Sequence, residues 1–234
     1  MKRRKSMYLM AGGDFRNPAA MIARIKAILT EAGKEHPDVA YIGTASNDDA
    51  SFFSYAADMI RQAGAGSVRL VKLAGRKADV NKAASLLGTA DAVFISGGDV
   101  EEGMLRLDYH RMVPFLRQTF DRGAVFFGIS AGSIMLGMQW VRWKNPDDDS
   151  SAELFDCIGI APVVCDTHAE KDDWEELKAA VNLRGTGGRG YGIPSGGTLR
   201  ISPDGTVSAL DKPAVCYEST ASGVVRTGTV TTRI

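Results

Sequence analysis

Between Val125 and Gly137 the chain reads Val-Phe-Phe-Gly-Ile-Ser-Ala-Gly-Ser-Ile-Met-Leu-Gly. An apolar run enters Gly128-Ile129-Ser130-Ala131-Gly132, and an apolar, small-residue segment leaves it. An unbroken apolar run of this length is what a strand buried on both faces looks like. Gly-x-Ser-x-Gly directly after it predicts a sharp strand-to-helix turn, because a side chain at either flank would clash there. Such a turn lifts the Ser130 hydroxyl out of the sheet and leaves backbone N–H groups at a helix start, ready to hold an anion. The motif also occurs as a plain structural turn. Its position at a strand-to-helix junction is what points to a nucleophile.

The surrounding pattern agrees. Apolar, β-rich runs at Met7–Ala11, Val39–Gly43, Val68–Leu73, Ala92–Ser96 and Ala124–Ile129 alternate with helical patterns at Pro18–Ala32, Ala50–Ala63, Asp79–Leu87 and Glu101–Arg122, the last broken near Tyr109. Strands separated by helices predict a three-layer, doubly wound, mostly parallel sheet with helices on both faces. Trp140–Ser151 reads as a polar loop, Val163–Cys165 as a short strand and Lys171–Leu183 as a helix. From Gly185 the chain turns Gly-rich and β-rich, which predicts hairpins added to the main sheet. The whole, 1–234, reads as a single α/β domain, with residues 1–5 as a basic tail and Gly12-Gly13-Asp14 closing the first strand.

Composition narrows the functional classes. With 28 basic and 28 acidic residues the formal net charge is zero, so no global field draws the chain to nucleic acid or an anionic membrane. No apolar run approaches the ~20 residues of a membrane span. The three cysteines, Cys157, Cys165 and Cys216, form no C-x-x-C pair, which fits a reducing, cytoplasmic location. Cys165 and His168 alone do not make a metal site, and no cofactor is expected.

A serine nucleophile needs a base, oriented in turn by a carboxylate. Of three histidines, His36 lies in a surface turn and His110 between helical segments. His168 follows the short strand Pro162–Cys165 in Val164-Cys165-Asp166-Thr167-His168, at a strand end where doubly wound folds build their sites. By elimination it is the base. The acid lies among Asp147, Asp148, Asp149 and Glu153, with Asp147 first because it follows the elbow helix and is preceded by Pro146. Gly97-Gly98-Asp99 ends the preceding strand on the same sheet edge. A glycine N–H there can join that of Ala131 as an oxyanion hole.

Gly97-Gly98-Asp99, Gly128-Ile129-Ser130-Ala131-Gly132, Asp166-Thr167-His168 and Gly192-Ile193-Pro194-Ser195-Gly196 occur in that order. Together they resemble the serine peptidases that include dipeptidase E and cyanophycinase, within the class I glutamine amidotransferase-like fold. The resemblance implies peptide-bond hydrolysis through an acyl-enzyme on Ser130, with His168 as base and, as acid, an Asp or Glu of the loop Trp143-Lys144-Asn145-Pro146-Asp147-Asp148-Asp149. It also implies an oxyanion hole of Gly98 and Ala131, substrate contacts at Asp99 and Asp166, and no metal. Dipeptides or short peptides are the implied substrates, nucleic acid and membrane are not partners, and a homodimer is allowed. Cyanophycinases carry Gln after Gly-Gly-Asp, where this chain has Val100. Two alternatives stand beside this reading: an inactive amidotransferase-like binding or regulatory module, and an ordinary α/β-hydrolase esterase.

Overall fold

Side chains alternate strictly across the central strands of the computed structural model, which describes residues 4–12 and 17–231. In β1 (Met7–Met10), Met7 and Leu9 enter one core cluster while Tyr8 and Met10 enter the other. The same split runs through β2 (Asp38–Ile42), β4 (Ala92–Ile95) and β5 (Val125–Ile129). Between β2 and β4 the chain adds β3 (Ser67–Val71) at the edge. With two later strands, β10 (Thr198–Ile201) and β11 (Val207–Leu210), these strands make a seven-stranded sheet in the order β11-β10-β1-β5-β4-β2-β3. Its strands from β1 to β3 are parallel, and β10 and β11 join antiparallel beside β1. A parallel sheet needs cover on both faces, and strands this apolar need it too.

Helices α1 (Pro18–Thr30) and α2 (Ala50–Gln62) cover one face through Ile25, Ile28 and Ile60. Helices α3 (Val80–Thr89), α4 (Val100–Tyr109), α5 (Val113–Asp121) and the short α6 (Ala131–Leu136) cover the other. Local chemistry sets their starts. Asn17, Asp49, Asp79 and Asp99 each accept a first-turn N–H with a side-chain oxygen. The break expected near Tyr109 falls between α4 and α5, and Pro114 sits in the first turn of α5.

The second half departs from expectation in two places. Trp140–Ser151 is not all loop. Residues Gln139–Trp143 form β6, which pairs with β7 (Ala152–Asp156), and only the stretch between them turns. Trp140 and Val141 are buried, and that packing outweighs the polar neighbours that made the segment read as a loop. The C-terminal strands also divide. Only β10 and β11 extend the main sheet, while β8 (Cys165–Thr167), β9 (Arg189–Ile193), β12 (Ala214–Thr220) and β13 (Gly223–Val230) form a separate four-stranded sheet. Helix α7 (Glu175–Leu183) packs on it, with Leu177 and Val181 against Gly190. Residues 1–3 of the expected basic tail, and Gly13 and Asp14 of the first turn, lie outside the described residues.

Candidate active site

The carboxyl ends of β4 and β5 lie side by side, with Ile95 paired to Gly128. The chain leaves β5 through Ser130 at φ 53° and ψ −125°, a conformation that costs a non-glycine residue on the order of 1–3 kcal/mol. Surrounding contacts impose it. The Ser130 N–H donates to Met10 O at 2.9 Å, and the Ser133 hydroxyl donates to the same carbonyl at 2.9 Å. The flanking glycines are required by close approach. A Cβ on Gly128 would stand 2.5 Å from Gly132 O, and one on Gly132 would stand 2.1 Å from Ile95 O. The sharp turn read from the sequence is present.

His168 arrives from the other sheet. It follows β8, its N–H donates to Ile193 O at 2.9 Å, and its backbone adopts φ 49°. That placement puts His168 Nε2 2.7 Å from Ser130 Oγ. The other two histidines are elsewhere. His36 is exposed beside Glu35, and His110 is buried with Nε2 3.0 Å from Gly75 O.

Gly98, at φ +140°, sits in the turn after β4, where a Cβ would fall 2.0 Å from Ala45 O. Among the described residues its N–H has no protein acceptor. Ala131 is the first residue of α6, so its N–H has no partner within the helix. Both residues border the cleft beside Ser130. Asp99 caps α4, taking the Glu102 N–H at 2.8 Å. Asp166 is 4% exposed; one oxygen accepts the Thr167 N–H at 2.6 Å and the other has no partner. Burial first, then the charges of Glu176, Asp172 and Glu170, outweigh that bond and push its carboxyl up to about 7.

Asp147 is not brought to the serine and histidine. It lies in the exposed turn between β6 and β7, where its N–H bonds Asn145 Oδ1 at 3.2 Å. Asp148 bonds Ser150 in the same turn, and Glu153 is held by Arg142 and Lys144. Asp149 is exposed in the same turn, and neither it nor Asp147 borders the cleft beside Ser130. Among the described residues no carboxylate is hydrogen-bonded to His168. The acid that shares its field is Glu170, two residues on. Burial works to raise the Glu170 pKa. Its hydrogen bonds with Ser195 and its own backbone, and then the charge of His168, hold it below the usual range. The Ser195 N–H donates to Glu170 Oε1 at 3.0 Å, within the Pro194-Ser195-Gly196 turn. Nothing in the sequence pattern singled Glu170 out, because its relation to Ser195 exists only once β9 lies beside β8.

Two clefts of about 380 Å³ each meet at the pair, so Ser130, His168 and Gly98 border both. One is walled by Met21, Tyr41, Phe52, Tyr55, Met59 and Phe94. The other is bordered by Trp140, Asp166, Asp172, Glu175 and Glu176.

A doubly wound α/β protein with a strained serine at a strand end, bonded to a histidine, is in form a serine hydrolase. The comparisons sharpen that class. The model of peptidase family S51 matches residues 7–208, and the chain belongs to that family of serine-type peptidases. Solved structures share the fold at low identity. A peptidase from an acI-B1 Actinobacterium superposes with a TM-score of 0.72 at 16% identity, covering 96% of this chain and 94% of that one. A proposed peptidase E protein from Listeria monocytogenes EGD-e gives 0.65 at 14%, covering 88% of this chain and 98% of that one. No curated protein sequence matches significantly.

Proposed function

We propose that this peptidase cleaves dipeptides or short peptides through an acyl-enzyme on Ser130. The observation that carries the reading is the 2.7 Å contact between Ser130 Oγ and His168 Nε2 at the elbow. His168 takes the hydroxyl proton as Oγ attacks the scissile carbonyl. The Gly98 and Ala131 N–H groups stabilise the oxyanion, and His168 then protonates the departing amine as the C–N bond breaks. A water molecule, deprotonated by His168, releases the acyl group. Glu170, whose carboxylate senses the charge of His168, takes the place of the triad acid rather than Asp147. Clefts of this size hold one or two residues on either side of the bond, which supports short substrates.

Nothing in the family match favours the inactive-module alternative. The free cysteines, with Cys157 and Cys165 buried, support a cytoplasmic setting. Among the described residues no helix is long and apolar enough to cross a membrane. A homodimer acting on peptides, without nucleic acid, completes the reading, and sedimentation of the purified chain tests that assembly. The central experiment is labelling by a fluorophosphonate probe. Wild type should be labelled at one serine and Ser130→Ala not at all. Labelling that survives in Ser130→Ala removes the assignment.

A further inference from the structure

The two clefts that meet at Ser130 differ in chemistry. The walls of the first are thioether and aromatic: Met21, Phe52, Tyr55, Met59 and Phe94. Phe52 and Tyr55 are 59% and 51% exposed, a cost in water that a bound apolar group would remove. The second cleft brings Asp166, Asp172, Glu175 and Glu176 to one wall, and no lysine or arginine borders it among the described residues. These carboxylates work against one another. Glu176 has its pKa raised by partial burial and then by the charges of Asp172 and Asp99. Asp166 adds a buried oxygen with no hydrogen-bond partner at all. A buried, unpartnered carboxylate oxygen is costly, and a cation entering the cleft offsets that cost. Among the described residues, no three His, Cys, Asp or Glu side chains converge as metal ligands. The acids line a cleft rather than a chelate, which suits an extended organic cation.

Resting on the peptidase reading above, we propose that the preferred substrates carry a cationic nitrogen on one side of the scissile bond and a bulky apolar side chain on the other. The carboxylate cleft takes the cation and the Met/Phe/Tyr cleft takes the apolar group. An acidic residue is repelled from the carboxylate cleft and desolvated without a partner in the Met/Phe/Tyr cleft. The cation is either the peptide's own α-ammonium or a basic side chain, and the two are separable.

The test compares kcat/KM of the full chain on Ala-Phe, acetyl-Ala-Phe, acetyl-Lys-Phe, acetyl-Asp-Phe and Ala-Gly. A cation-bearing substrate should exceed acetyl-Ala-Phe by about tenfold or more. Preference for Ala-Phe identifies the α-ammonium, and preference for acetyl-Lys-Phe identifies the side chain. Ala-Gly should fall about tenfold or more below Ala-Phe. The pair Asp172→Asn with Glu176→Gln should erase the first preference and leave the second. Phe52→Ala with Met59→Ala should do the reverse. Equal rates with and without a cation, or acetyl-Asp-Phe as the best substrate, overturn the proposal. Fluorophosphonate labelling of Ser130 separates the two levels of failure. A labelled enzyme without these preferences refutes the specificity alone, and an unlabelled one refutes the peptidase site and the specificity with it.

Discussion

Single residues carry the chemistry, and they can be tested singly. Ser130→Ala removes one oxygen and should lower turnover by several orders of magnitude with the fold intact, as circular dichroism would show. An activity above about a tenth of wild type would exclude Ser130 as nucleophile. Gly98→Val meets a harder obstacle. Its Cβ would lie 2.0 Å from Ala45 O at a φ of +140°, so the turn must move. Its kcat should fall about a hundredfold or more, the scale of a lost oxyanion donor. Full activity would place Gly98 away from the reacting carbonyl. Asp166 gives a prediction in pH. Its carboxyl rises from 3.8 to about 7, so between those values the folded state holds a proton that the unfolded state has released. That contribution to stability is whole at low pH and is lost as pH rises through the folded value. Asp166→Asn should therefore gain melting temperature relative to wild type as pH goes from 4 to 8. A difference that stays constant across that range would contradict the burial argument.

At the scale of elements, the parts legible in the sequence are those fixed by local pattern. The elbow was readable because a β-rich apolar run and two close-packed glycines are neighbours in the chain. Which histidine meets Ser130 was readable by elimination, since the chain has only three histidines. The division of the C-terminal strands was not, because β9 pairs with the earlier β8 in parallel and with the later β12 antiparallel, a choice made by distant partners. Hairpin β6–β7 was missed because Arg142 and Lys144 look like loop residues, while in the fold Arg142 bridges Glu101 and Glu153. The turn of the same hairpin is rich in aspartates, of which Asp148 accepts from Ser150 within the turn. Asp147→Asn should leave kcat within about twofold, whereas Glu170→Gln should lower it by about tenfold or more, well short of the loss from Ser130→Ala. Steady-state kinetics on one dipeptide decides between them. The reverse order would return the role to the hairpin.

For the whole molecule, the serine and the histidine stand on different sheets. Ser130 ends a strand of the seven-stranded sheet, and His168 follows a strand of the four-stranded one. One core cluster runs beneath both, joining Phe126 and Met135 to Leu177, Ile193 and Tyr217. Backbone bonds stitch the junction: Gly196 N–H to Gly12 O at 2.7 Å and Ala11 N–H to Gly197 O at 3.0 Å. The 2.7 Å contact is thus a gauge of how the two sheets are docked. Drawing the sheets apart by an ångström along that contact would break it, and a displacement of that size can cost about a hundredfold in rate. Because the sheets share their core, they should part only when the core melts. Along a urea titration, activity and the far-UV signal should disappear together. Inactivation at lower urea would reveal a state in which each sheet survives but the seam between them has opened.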